Sequence, residues 1–215
     1  MSRWTRLKHA SWIALATHAL AGVTMLLVLR HGLETNPDLP ARLRFLAEQR
    51  AAWTLAWLTW NAAALSILYF CVAFAAAHRS EGNRTALGFA VALCSAAIAC
   101  DLSAESVLMG LLPELTADRA AFQVWHRAAI LLTGYVANGL YTGAIAALVA
   151  TTRRVYAPHE TAVGVLVAAA GVWLSAAALA GSVSGMFWSN AALLPGLLLW
   201  LVAVARHAAR HERDG

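Results

Sequence analysis

The sequence predicts an all-α, polytopic membrane protein: a bundle of six transmembrane helices in one domain over residues 1–215, built from three parallel-repeat helical hairpins with both termini cytoplasmic. Three observations predict it. The chain is 60% hydrophobic and only 13% charged, with a mean hydropathy of +0.62, far from the soluble balance. Six apolar runs are long enough for a hydrocarbon core of about 30 Å, which takes about 20 helical residues. Basic residues gather in alternate connections.

Span one, near residues 11–29, follows SRWTRLKH. That segment resembles a signal-peptide n-region, but the apolar stretch is too long and lacks a clean small-residue cleavage site, so it reads as a retained span. Spans two to six are expected near 52–77, 86–112, 124–151, 161–183 and 189–206. Arg3, Arg6 and Lys8 precede span one, Arg79 and Arg84 follow span two, Arg153 and Arg154 follow span four, and Arg206, Arg210 and Arg213 follow span six. The positive-inside rule makes those segments cytoplasmic, in a bacterial inner membrane. Arg42, Arg44 and Arg119 on the opposite side are offset by Glu34, Asp38, Glu114 and Asp118. The net charge of +5 therefore reflects topology and argues against a nucleic-acid partner. Pro195 is expected to kink span six, and His207 and His211 read as part of a solvated tail.

Other classes fall away quickly. Cys71, Cys94 and Cys100 lie inside spans without CxxC spacing, so neither a disulfide framework nor a zinc site is expected. The one lysine, Lys8, precludes a retinal Schiff base within a span. No Walker loop, dinucleotide fingerprint or GxSxG elbow is present.

An internal repeat is the most specific pattern. PDLPARLRFLAEQRAAWTLAWLTWN from Pro37 aligns, with one inserted residue, to PELTADRAAFQVWHRAAILLTGYVAN from Pro113. The alignment pairs Arg42 with Arg119, Phe45 with Phe122, Arg50 with Arg127 and Asn61 with Asn138. TALGFAVA from Thr85 likewise recurs as TAVGVLVA from Thr161. The repeating unit is a hairpin, about 9–79, 84–154 and 160–210, and its even number of crossings makes the repeats parallel.

Polar residues inside this apolar chain mark the candidate site. CDLSAES puts Asp101 and Glu105 one turn apart on span three, on a stripe with Cys94, Ala97, Leu108 and Leu112. A charged group at a lipid-facing helix centre costs about 2.5 to 3.5 kcal/mol on insertion scales, so both acids should point into the bundle. Arg50, Trp53, Trp57 and Asn61 share a face of span two; Arg127, Gly134, Asn138 and Tyr141 share one on span four. These faces are expected to surround the acids, with Arg50 and Arg127 as counter-charges. Asn61 and Asn138 would orient a solute or bond between helices. Trp53 and Trp57 would line a cavity, and His126 would partner Glu105 or Glu114 at the outer rim.

The first function expected is proton- or cation-linked binding or transport of a small solute or ion, through an acidic pocket open to the extracytoplasmic side. Alternatives are a membrane enzyme using Asp101 or Glu105 as a general acid on a lipid or isoprenoid-like substrate, and a structural or assembly subunit. Membrane lipid is the one partner implied; the sequence does not fix an oligomeric state. No metal or cofactor is expected. Two haems would need His18 and His31 of span one to find partners in His78 and His126, which lie on different helices without paired spacing.

Overall fold

The structure is a computed structural model that describes residues 1–213, all of them in helices and short connections. Eight α-helices are present among the described residues: α1 (Arg3–Leu27), α2 (Leu39–Glu48), α3 (Arg50–His78), α4 (Arg84–Ser106), α5 (Arg119–Ile130), α6 (Asn138–Thr152), α7 (Pro158–Ala180) and α8 (Val183–Arg213). All but α2 belong to six continuous helical stretches long and apolar enough to cross a membrane, so the chain is an integral membrane protein by length and composition. Span three runs on from α4 through a π segment (Val107–Leu111) and a 3₁₀ turn (Leu112–Leu115). Span four is α5, a π segment (Leu131–Ala137) and α6 in line.

Local chemistry explains the helix ends. The side chains of Ser2 and Asp38 accept the backbone N–H of Thr5 and Ala41. Asp118 accepts those of Ala120 and Ala121. Each is an N-cap satisfying an otherwise orphaned donor. Helix α7 stops at Gly181, whose φ of 70° is the left-handed conformation that only glycine adopts without a Cβ penalty.

Helix α2 is absent from the sequence reading. The chain breaks at Gln49, with φ −116° and ψ 31°, so Leu39–Glu48 folds as a separate amphipathic helix. It lays Arg42, Leu43 and Leu46 against the bundle. Arg50 is consequently the first residue of α3 and not a residue within it. The apolar pattern of span six does run through Pro195 in one unbroken helix.

The six spans close into a ring in sequence order. Helix α1 packs on α3, α3 on α4, α4 on α6, α6 on α7, α7 on α8, and α8 returns to α1. One end of the ring, here the terminal end, gathers Trp4, His78, Tyr156 and His207; the other carries α2. Two apolar clusters fill the interior. One holds Phe70, Phe74, Leu148, Trp200 and Leu201 toward the terminal end, and the other holds Leu46, Trp53, Leu108, Leu112 and Phe122 beneath α2. Close packing of span four on α7 depends on small residues. A Cβ added to Gly171 would lie 2.1 Å from Thr142 Oγ1, and one on Gly134 would lie 2.9 Å from the Ala178 Cβ.

Candidate functional site

The stripe on span three faces the interior. Cys94, Ala97, Leu108 and Leu112 are fully buried, and Glu105 is 2% exposed. Asp101, one turn deeper, is held by span four: Thr133 donates to Oδ1 at 2.5 Å and Tyr141 donates to Oδ2 at 3.3 Å. Glu105 differs, because its Oε2 is buried without a hydrogen-bond partner. Thr133 lies within the π segment of span four, and a second π segment begins two residues after Glu105. Such segments break the i→i−4 ladder and recur at functional sites.

The π segment of span three also explains Trp53. Leu112 gives its N–H to Val107 O, five residues back, which takes away the usual i+4 donor for Leu108 O. The i+5 residue is Pro113, which has no N–H. The orphaned carbonyl is satisfied by Trp53 Nε1, which donates to it at 2.7 Å. Trp53 is fully buried and packs within the apolar cluster beneath α2. Trp57 packs edge-on against it with centroids 5.6 Å apart, and its own Nε1 is buried and unpartnered. Trp57 lies one turn inward of Trp53 and Glu105 three residues inward of Leu108, about 6 and 4.5 Å respectively, so the two share a level.

Arg50 and Arg127 do not serve the acids. Arg50 pairs with Glu114 at 2.5 Å, with both side chains more than half exposed. Starting α3 at the interface puts its guanidinium where Glu114 is the available anion, and such an exposed pair contributes little. Arg127 donates through Nη1 to Ala178 O and through Nη2 to Leu179 O, each at 2.9 Å. It thereby caps the last turn of α7: Ala178 O also accepts the Gly181 N–H at 3.2 Å, and Leu179 O gains a partner the helix end does not supply. Arg127→Ala should lower stability in detergent unfolding by about 1 to 2 kcal/mol, whereas Arg50→Ala should change it by less than about 1 kcal/mol. Equal effects would contradict these roles.

The asparagines split as well. Asn138 donates to Gly171 O at 2.7 Å and Ser175 Oγ at 2.8 Å, which ties α6 to α7. Asn61 reaches only the Met109 sulfur, at 4.0 Å, and its Oδ1 is buried and unpartnered.

His126 meets neither Glu105 nor Glu114. Its Nε2 lies 3.2 Å from Arg42 Nη2 and 3.1 Å from Glu34 Oε2, the latter at an angle that makes no hydrogen bond. The guanidinium of Arg42 also donates to Gly32 O through Nε at 3.2 Å and lies over the Phe122 ring. An arginine can only donate, so His126 Nε2 accepts and carries no proton. Burial pushes the Glu34 carboxyl above its ordinary value of 4.5, against the pull of Arg42, and burial likewise lowers the Arg42 guanidinium. A raised acid lends its stability below pH 4.5 and loses it as pH climbs through the folded-state value. Glu34→Gln should therefore raise the melting temperature near pH 8 and leave it unchanged near pH 4; the reverse pattern would contradict the assignment.

At the terminal end the expected solvated tail holds only in part: Arg206, Arg210 and His211 are exposed, but helix α8 carries His207 inward, to 6% exposed. Both histidines join Trp4, His78 and Tyr156: Trp4 stacks on His211 with centroids 4.5 Å apart, and Tyr156 lies 4.4 Å from His207. His78 Nδ1 donates to Phe74 O at 2.9 Å, which leaves Nε2 to accept from the Tyr156 hydroxyl at 3.1 Å. Burial raises the Tyr156 phenol well above its ordinary value. The signal was the stripe Trp200, Val204, His207 and His211, one helix face in steps of three and four.

Of the remaining histidines, His18 Nδ1 bonds to Ala14 O at 2.8 Å within α1, and His31 packs on Phe45. Among the described residues no cluster of three His, Cys, Asp or Glu side chains is set to hold a metal ion. Around α4 two carboxyl groups thus share one turn, and neither takes part in an ion pair among the described residues. Comparison with protein families, curated proteins and solved structures returns no match.

Proposed function

We propose that this protein binds or carries a small solute across a bacterial inner membrane with a proton as the coupled ion, and that Glu105 with Asp101 is the proton-exchanging pair. The observation that carries the reading is Glu105 itself: a carboxyl 2% exposed, with one oxygen unpartnered, on the same face as a second acid. An ionised carboxylate is costly inside a membrane bundle without a counter-charge, whereas a carboxyl that holds a proton is tolerated. Intramembrane acids of this kind mark ion and substrate pathways. The two adjoining π segments give the helices a local freedom that regular α-helices lack.

Both termini are cytoplasmic in this proposal. Supporting it, Arg3, Arg6, Lys8, Arg79, Arg84, Arg153, Arg154, Arg210 and Arg213 all belong to the terminal end. The parallel hairpin repeat belongs to the same reading. Arg50 and Arg127, and Asn61 and Asn138, each bond forward to the span that follows their own.

The test is an infrared difference spectrum, acid minus alkaline, of the reconstituted protein. The wild type should show a protonated-carboxyl band that Glu105→Gln removes and Asp101→Asn shifts. Proton uptake by proteoliposomes should fall at least tenfold in both variants while thermal stability is kept. A carboxyl band unchanged by Glu105→Gln overturns the reading. Loss of stability without a change in the band favours an assembly subunit, a reading favoured by Trp53 filling the interior.

A further inference from the structure

The outer face of α6 and α7 carries a groove of about 330 Å³ lined by Ala146, Val149, Ala150, Val165 and Ala168, with Thr161 and Arg153 at its terminal-end mouth. Its form follows from the sequence. Gly164 has no side chain, and a Cβ there would lie 2.6 Å from Val149 Cγ2, so α7 approaches α6 closely. The alanines at 146, 150 and 168 leave space outside that contact. From Ala146 to Arg153 the groove follows the helix for about 10 Å. Arg153 is exposed and takes part in none of the ion pairs among the described residues.

We propose that this groove is a binding site for an anionic glycerophospholipid, with one acyl chain lying along the alanine track and the phosphate on the guanidinium of Arg153. Charge and depth argue for that occupant. A basic side chain at the end of an apolar groove sits where a headgroup meets the hydrocarbon layer, and basic pockets between transmembrane helices select anionic headgroups. A guanidinium fork matches a phosphate in a bidentate way that a zwitterionic headgroup, with its own ammonium, answers less well. The apolar lining gives the chain contact but no choice between headgroups, so affinity and selectivity belong to different residues.

Native mass spectrometry of the full chain in detergent, titrated with phosphatidylglycerol and with phosphatidylcholine of the same acyl chains, separates the two. One basic residue near the surface contributes about 1 kcal/mol toward anionic lipid, so the wild type should retain phosphatidylglycerol about fivefold better. Arg153→Gln should bring that preference to about one, while Arg44→Gln, an exposed arginine at the α2 end, leaves it at about fivefold. Ala168→Leu, which fills the track, should lower retention of both lipids. A wild type without headgroup preference, or a preference that survives Arg153→Gln, would overturn the proposal.

Discussion

Trp53→Ala should be the most destabilising single substitution in the chain, costing about 3 to 5 kcal/mol, the range for truncating a buried aromatic to alanine. Trp53 is fully buried, packs edge-on against Phe45 and Trp57, and lies against Gly32, where a Cβ would come within 2.6 Å of its ring. It also holds Leu108 O, and a buried carbonyl left unpaired adds about 1 to 3 kcal/mol. Trp53→Phe separates the two contributions, since it keeps most of the ring and removes the donor. Pro113→Ala supplies the missing N–H five residues after Leu108, so Trp53→Phe should cost less in that background. Equilibrium unfolding of the four proteins in detergent gives the coupling energy directly. A coupling near zero would mean that the tryptophan acts by packing alone.

Gly171→Val should come second, at about 3 kcal/mol, the upper part of the overpacking range. The new Cβ would lie 2.1 Å from Thr142 Oγ1 and 3.1 Å from Thr142 Cβ, on a residue that is itself buried. Separating α6 from α7 to make room would also pull Asn138 from Gly171 O and Ser175 Oγ. Thr142→Ala removes the nearer atom and should return part of the loss. A fully stable Gly171→Val protein would contradict the close approach of these helices.

The six spans were legible because hydropathy over about 20 residues is a property of the segment and needs no partner. The inward turn of Glu105 was legible for the same kind of reason, since lipid exposure of a carboxylate is costly whatever the bundle looks like. Partners were not legible. Which anion Arg50 meets depends on where α3 begins, and the break at Gln49 that decides it has no proline or glycine to announce it. The partner of Trp53 depends on a π segment, which hydropathy cannot register; Pro113 was the one visible clue, because it removes the donor that such a segment would need. Sequence position sets His126 near Glu105 and Glu114, whereas Glu34 and Arg42 reach it only because α2 folds back over the bundle.

Closure of the ring by its first and last helices has a consequence for biogenesis. Trp4 stacks on His211, and the hydroxyl of Thr5 donates to Glu212 at 2.8 Å, so one side of span one is completed by residues some two hundred positions downstream. At about 5 to 20 residues per second, ribosomes leave that side without its mate for on the order of ten seconds or more after span one enters the bilayer. During that interval lipid, or an insertion factor, must cover the seam.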